Sequence, residues 1–178
     1  VPLGDDGPRS VTLGDVDGDG DLDLAAAIHQ YGAGAGRVVV VKNNGDGTFD
    51  HENLLELETR SAPLLARLAD VNGGAAPVLV VTTEVGPAGL AATASVYFGD
   101  GSGGFSDRTD IELPDTPVDL LVTDLNGDAV PEIVTASPTS FDSVITVLVG
   151  ARSGLFDVRP SITVPGAVTA RSSGDLDG

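Results

Sequence analysis

Apolar residues are distributed in short runs along the chain, and the period of those runs changes at regular intervals. Val11 and Leu13, and likewise Leu120 and Val122, recur at alternate positions, which is the period of a half-buried strand. Acidic, glycine-containing segments follow. Beyond them lie compact apolar runs at residues 23–28, 77–82 and 132–136, whose length and composition suit buried strands. A third set, at 37–41, 94–98 and 144–149, is rich in β-branched residues. Turns rich in Gly, Asn and Asp then lead to Phe49, Phe105 and Phe156, and each Phe is followed six and eight residues later by an apolar pair: Leu55/Leu57, Ile111/Leu113 and Ile162/Val164. The pattern predicts four strands per unit, the last of them containing the Phe. Residues 22–30, with Ala25, Ala26 and Ala27, have helical propensity, but their place in the repeat predicts a strand.

The units are tandem repeats. Their acidic segments begin at Asp15, Asp70, Asp124 and Asp175, and Pro8, Pro63 and Pro117 each stand seven residues before the first three. Two kinds of landmark with one period of 51–55 residues define a real internal repeat. Four-stranded units of this length stack radially, so the predicted fold is an all-β propeller fragment with antiparallel blades. The expected division is 1–7 as the end of a preceding blade, 8–62, 63–116 and 117–167 as three complete blades, and 168–178 as the start of the next. The chain is expected to be an excerpt, with the remaining blades of the same propeller as partners.

Chemistry concentrates in the acidic segments. The first, DVDGDGDLD at 15–23, places Asp15, Asp17, Asp19 and Asp23 at positions 1, 3, 5 and 9, with Gly20 at position 6. Odd-numbered side chains of a tight loop can converge, and the main-chain carbonyl of Asp21 adds another oxygen. Six to eight oxygens at about 2.3–2.6 Å are what Ca²⁺ requires. Without a cation, each carboxylate pair about 4 Å apart would repel by roughly 4 kcal/mol at an effective dielectric near 20. The third loop retains Asp124, Asn126, Asp128 and Glu132, with Val130 at the carbonyl position, and Ala129 replaces the glycine of position 6. The second retains Asp70 and Asn72 but has Gly74 and Val78 where carboxylates belong, so it is expected to hold no metal. Asp175 and Asp177 form half a site. An EF-hand is excluded: position 12 is Ala26 in the first loop and Thr135 in the third, where a bidentate Glu is needed, and strands rather than helices flank both loops.

These loops, with the turns NGDGTF at 44–49 and YFG at 97–99, resemble the FG-GAP/VCBS repeats found in integrin α-subunits and many bacterial secreted proteins. The resemblance implies calcium in the hairpin between the first and second strands of a blade. Its ligands would be Asp15, Asp17, Asp19, Asp21 through its carbonyl, and Asp23. In the third blade they would be Asp124, Asn126, Asp128, Val130 through its carbonyl, and Glu132. It also implies extracellular or cell-surface work, adhesion or ligand binding without catalysis, with a protein or carbohydrate as the ligand. The alternative is the propeller of a secreted enzyme such as a polysaccharide lyase.

Composition narrows the partners further. Net charge is -18, from 27 acidic and 9 basic residues, a surface that repels nucleic acid and anionic lipid headgroups. The chain has no Cys and no apolar run of transmembrane length, so disulfides, thiolate sites and a membrane-inserted helix are not expected. Lys42 is the single lysine. His29 and His51 occupy non-equivalent places in one unit and are read as ordinary strand or surface residues. No nucleophile elbow, zincin or Walker motif occurs. The glycines of residues 32–36 precede a strand, so they are read as a loop rather than a dinucleotide site. The loops at 86–92 and 137–142 differ among the units and are the expected ligand-binding loops.

Overall fold

The computed structural model describes residues 7–30, 36–69, 76–128, 130–151 and 155–166. The opening strand expected near Val1, most of the second acidic loop with Asp70 and Asn72, Ala129, and the terminal Asp175 and Asp177 lie outside them.

Three antiparallel sheets follow one another along the chain. The first comprises β1 (Gly7–Gly14), β2 (Asp23–His29), β3 (Gly36–Val41) and β4 (Leu55–Thr59), in that spatial order. The second repeats the arrangement with β5 (Pro63–Ala69), β6 (Val78–Thr83), β7 (Thr93–Gly99) and β8 (Phe105–Glu112). The third is built from β9 (Asp119–Thr123), β10 (Glu132–Pro138) and β11 (Asp142–Gly150), with β12 (Phe156–Val158) and β13 (Ile162–Pro165) both pairing with β11. These are β-propeller blades: the first strand of each lies beside the first strand of the next, β1 against β5 and β5 against β9. The row of three is open, with the second sheet in the middle. The alanine run is β-strand, and Ala25 and Ala27 are completely buried. Their small side chains let the first sheet approach Ala66, Leu79 and Val81 of the second. Tertiary packing overrides alanine's helical preference here.

The hydrophobic core consists of two inter-sheet layers and a smaller cluster of Ala26, Ile28 and Val39 on the other face of the first sheet. One joins Val38 and Val40 to Leu79, Val81 and Tyr97. The other joins Val78, Val80, Val96 and Ile111 to Leu120, Ile133 and Leu148. Each fully buried Val, Leu or Ile contributes about 1.5–3 kcal/mol, and β6, covered on both faces, is buried along its whole length. Polar contacts supplement the layers. Ser10 Oγ and Thr12 Oγ1 accept the N–H groups of Ala66 and Leu68 at 3.3 and 3.2 Å. Tyr97 and Arg108 both donate to the Glu58 carbonyl at 3.0 Å.

The prolines mark the strand starts by a specific irregularity. In β1 the register slips between Pro8 and Ser10, and in β5 between Pro63 and Leu65, because a residue without an N–H cannot complete the ladder. The predicted Phe-containing fourth strand is continuous only in the second sheet, where β8 begins at Phe105. In the first, Phe49 makes an isolated bridge to Asn43. The Asp50 carboxylate then accepts the N–H groups of Glu52 and Asn53, closing a local turn that delays the strand to Leu55. In the third, Pro160 separates β12 from β13, and the two resume pairing with β11 after one extra residue.

Candidate metal centre

The first acidic loop joins β1 to β2 and is shaped by its own carboxylates. Asp15 accepts the N–H of Gly18 through Oδ1 at 2.7 Å and of Gly20 through Oδ2 at 3.0 Å. Both glycines adopt positive φ, 77° and 93°, which a side chain would strain. The Asp21 N–H donates to Asp19 Oδ1 at 2.8 Å. This wrapping brings carboxylate oxygens of Asp15, Asp17 and Asp19 within 4.8 Å of one another; Asp15 and Asp17 are half-buried and Asp19 is exposed. Asp17 Oδ1 is buried and has no hydrogen-bond partner, while Oδ2 lies 3.1 Å from Lys42 Nζ. Among the described residues this is the one place where three such groups converge. The donor set is wholly oxygen, with one buried carboxylate oxygen unsatisfied, and it fits a hard divalent cation such as Ca²⁺. The three Asp residues could hold an ion.

Asp23 and Asp21 stand outside that triplet. Asp23 is completely buried. Its Oδ2 accepts the Val16 N–H and its Oδ1 the Asn43 N–H, both at 2.8 Å. It thus ties the acidic loop to the start of the β3–β4 hairpin. The Asp21 carboxylate lies over Gly45 of that hairpin, so close that a Cβ there would meet Oδ2 at 2.7 Å.

The third loop, between β9 and β10, reproduces the frame. Gly127, at φ 76°, donates to Asp124 Oδ1 at 2.7 Å, Asp128 donates its N–H to Asn126 Oδ1 and Val130 donates its own to Asp128 Oδ1, both at 2.8 Å. Glu132 is 2 % exposed. Its Oε2 accepts the Leu125 N–H at 2.7 Å, the service Asp23 performs for Val16, and Oε1 accepts Asn126 Nδ2 at 3.0 Å. The carboxylate at position 9 is therefore a buried clip on the N–H of position 2 in both loops, reached by Asp in one and by the longer Glu in the other.

Sequence reasoning missed two contributors, Asn43 and Lys42. Gly99 N–H bonds the Pro77 carbonyl at 3.1 Å. In the first unit Asn43 and Leu22 hold the equivalent places, and Asn43 Nδ2 reaches the Leu22 carbonyl at 3.1 Å. Superposing the repeats on their Phe residues would have exposed Asn43 as the exception among Gly99 and Gly150.

The hairpin turns beside the loops are also carboxylate-braced. Asp46 accepts the hydroxyl and N–H of Thr48, and Asp100 accepts the N–H and hydroxyl of Ser102 and the N–H of Gly104. These bonds hold both carboxyls below their ordinary range. The histidines sit at opposite ends of the first sheet. His29 Nδ1 lies 3.3 Å from Arg9, and His51 Nδ1 lies 3.4 Å from the Phe49 carbonyl.

Comparison with known proteins agrees with this geometry. Residues 7–41, which span β1, the first acidic loop, β2 and β3, match the FG-GAP repeat. No curated protein sequence matches the chain. Among solved structures, the crystal structure of an exotype rhamnogalacturonan lyase, YesX, is similar with a TM-score of 0.56 and 15 % sequence identity. The likeness covers 89 % of this chain and 33 % of that one, so this chain spans about a third of that structure's length. At such identity the likeness is one of fold.

Proposed function

We propose, from the match of residues 7–41 to the FG-GAP repeat, that the chain is a calcium-stabilised, non-catalytic binding or adhesion module of an extracellular β-propeller. The observation that carries this reading is the convergence of Asp15, Asp17 and Asp19 around a buried, unsatisfied Asp17 oxygen. Calcium bound there supplies charge neutralisation. The chain's own residues do the rest: Asp15 folds the loop through Gly18 and Gly20, and Asp23 fastens it to the hairpin. Asp124, Asn126, Asp128 and Glu132, with the Val130 carbonyl, offer a second such site. Residues 8–62, 63–116 and 117–167 are the blades, and the ligand is an extracellular protein or carbohydrate at the loops of 86–92 and 137–142. A net charge of -18 supports a partner that is neither nucleic acid nor an anionic membrane surface.

Calcium that binds only the folded state stabilises it by about 2.7 kcal/mol at a hundredfold excess over Kd. That corresponds to roughly 5–10 °C in melting temperature at this size. Scanning calorimetry with calcium and then with EDTA should show that difference, and replacing Asp15, Asp17 and Asp19 together by Asn should remove the share contributed by the first loop. An identical melting temperature in the two buffers would remove calcium from the reading.

The likeness to a rhamnogalacturonan lyase favours a second reading, in which the chain is the propeller portion of a secreted polysaccharide-cleaving enzyme. Incubation with rhamnogalacturonan separates the two. Release of unsaturated product by this chain, or by a longer polypeptide that contains it, selects the second.

A further inference from the structure

The chain's one lysine is held at the rim of the first acidic loop and not free in water. Lys42 Nζ lies 3.1 Å from Asp17 Oδ2 and donates to the Ser102 carbonyl of the next blade at 2.8 Å. Its main chain is fixed on both sides. The Lys42 carbonyl accepts the Asp50 N–H, and the adjacent Asn43 N–H is clipped to Asp23. Its stem presses on Gly103, where a Cβ would meet Cε at 2.3 Å and Nζ at 2.5 Å, so any larger residue at 103 would evict it. The repeat-equivalent residues are Phe98 and Val149, both apolar. A cation occurs at this place only in the unit that carries five Asp in its acidic loop.

We propose that Lys42 is a resident counter-ion of the first acidic loop. It neutralises Asp17 and braces the loop against the Asp100–Gly104 turn when no divalent cation is bound, and it lowers the loop's affinity for one. This inference rests on the reading of that loop as a divalent-cation site. An ammonium in contact with one of the converging carboxylates repels an incoming dication across a few ångströms, and the half-buried setting of Asp17 weakens solvent screening. The same ammonium relieves repulsion among Asp15, Asp17 and Asp19 in the ion-free state, so the loop keeps its shape before calcium arrives. Its grip on Ser102 makes the state of the loop felt in the second blade.

The test is calcium titration by isothermal calorimetry on the 178-residue chain, with Lys42→Met and Lys42→Gln beside the unaltered protein. Both variants remove the charge, and Gln keeps a donor for the Ser102 carbonyl, so one remains informative should the other fail to fold. Calcium affinity should rise on the order of tenfold in each variant. In EDTA both should melt below the unaltered chain, with calcium closing most of the gap. Equal or weaker affinity in both variants overturns the role of Lys42 and leaves the cation site standing. Absence of calcium binding in all three proteins overturns the cation site and this inference together.

Discussion

A buried carboxylate can act as ligand or as scaffold, and Asp23 shows the second role plainly. Its two oxygens answer the N–H groups of Val16 and Asn43, and an orphaned buried N–H costs about 1–3 kcal/mol. Asp23→Ala should therefore cost about 2–4 kcal/mol and lower the melting temperature by roughly 5–15 °C. The loss should be measured in EDTA, where a missing cation cannot account for it. Asp15→Asn under the same conditions serves as the contrast, since it retains one acceptor oxygen and relieves repulsion among the converging carboxylates. The spacing of aspartates at 15, 17, 19 and 23 was legible in the sequence, and the structure gathers the first three. The division of labour between those three and Asp23 was not legible. It depends on which N–H groups the chain brings near residue 23, and Asn43 arrives from twenty residues away through the pairing of β2 with β3.

Among the elements, strand order and hairpin connectivity could be read from the alternation of apolar residues and the turn glycines, while continuity of the fourth strand could not. Asp50 and Pro160 decide it, one by offering the main chain a competing local turn and the other by withholding an N–H. The close approach of β7 to the residues before β6 is a further element-level constraint. A Cβ on Gly99 would meet the Pro77 carbonyl oxygen at 2.5 Å, and one on Gly150 would meet the Pro131 carbonyl oxygen at 2.7 Å. Neither glycine has a positive φ, so the requirement is for space alone. Gly99→Ala should force the two segments apart, break the Gly99–Pro77 hydrogen bond and cost about 1–3 kcal/mol in urea unfolding. Gly47→Ala meets no atom within 4 Å but sits at φ 84°. It should cost about 1–2 kcal/mol through backbone strain instead.

At the scale of the molecule, the middle sheet packs against a neighbouring sheet on both faces and the outer two do so on one. Amide exchange should follow that order, with residues 78–83 the slowest and residues 162–165, exposed along their length, among the fastest; mass-resolved hydrogen exchange checks it. Equal protection across the three sheets would mean that the inter-sheet layers do not set local stability. The repeat period made the three-sheet arrangement legible, because each unit must bury its faces against its neighbours. The polar ties between sheets were not legible, since they join residues of different units whose approach is set by the blade packing itself. One of those ties carries a consequence for solubility. The outward amides of β5 are answered by two hydroxyl side chains of β1, so neighbouring blades meet without sharing a ladder. A strand edge engaged in this way has two fewer N–H groups to offer a foreign peptide, and the hydroxyls keep the blades as separate sheets while guarding the inner rim against templated aggregation.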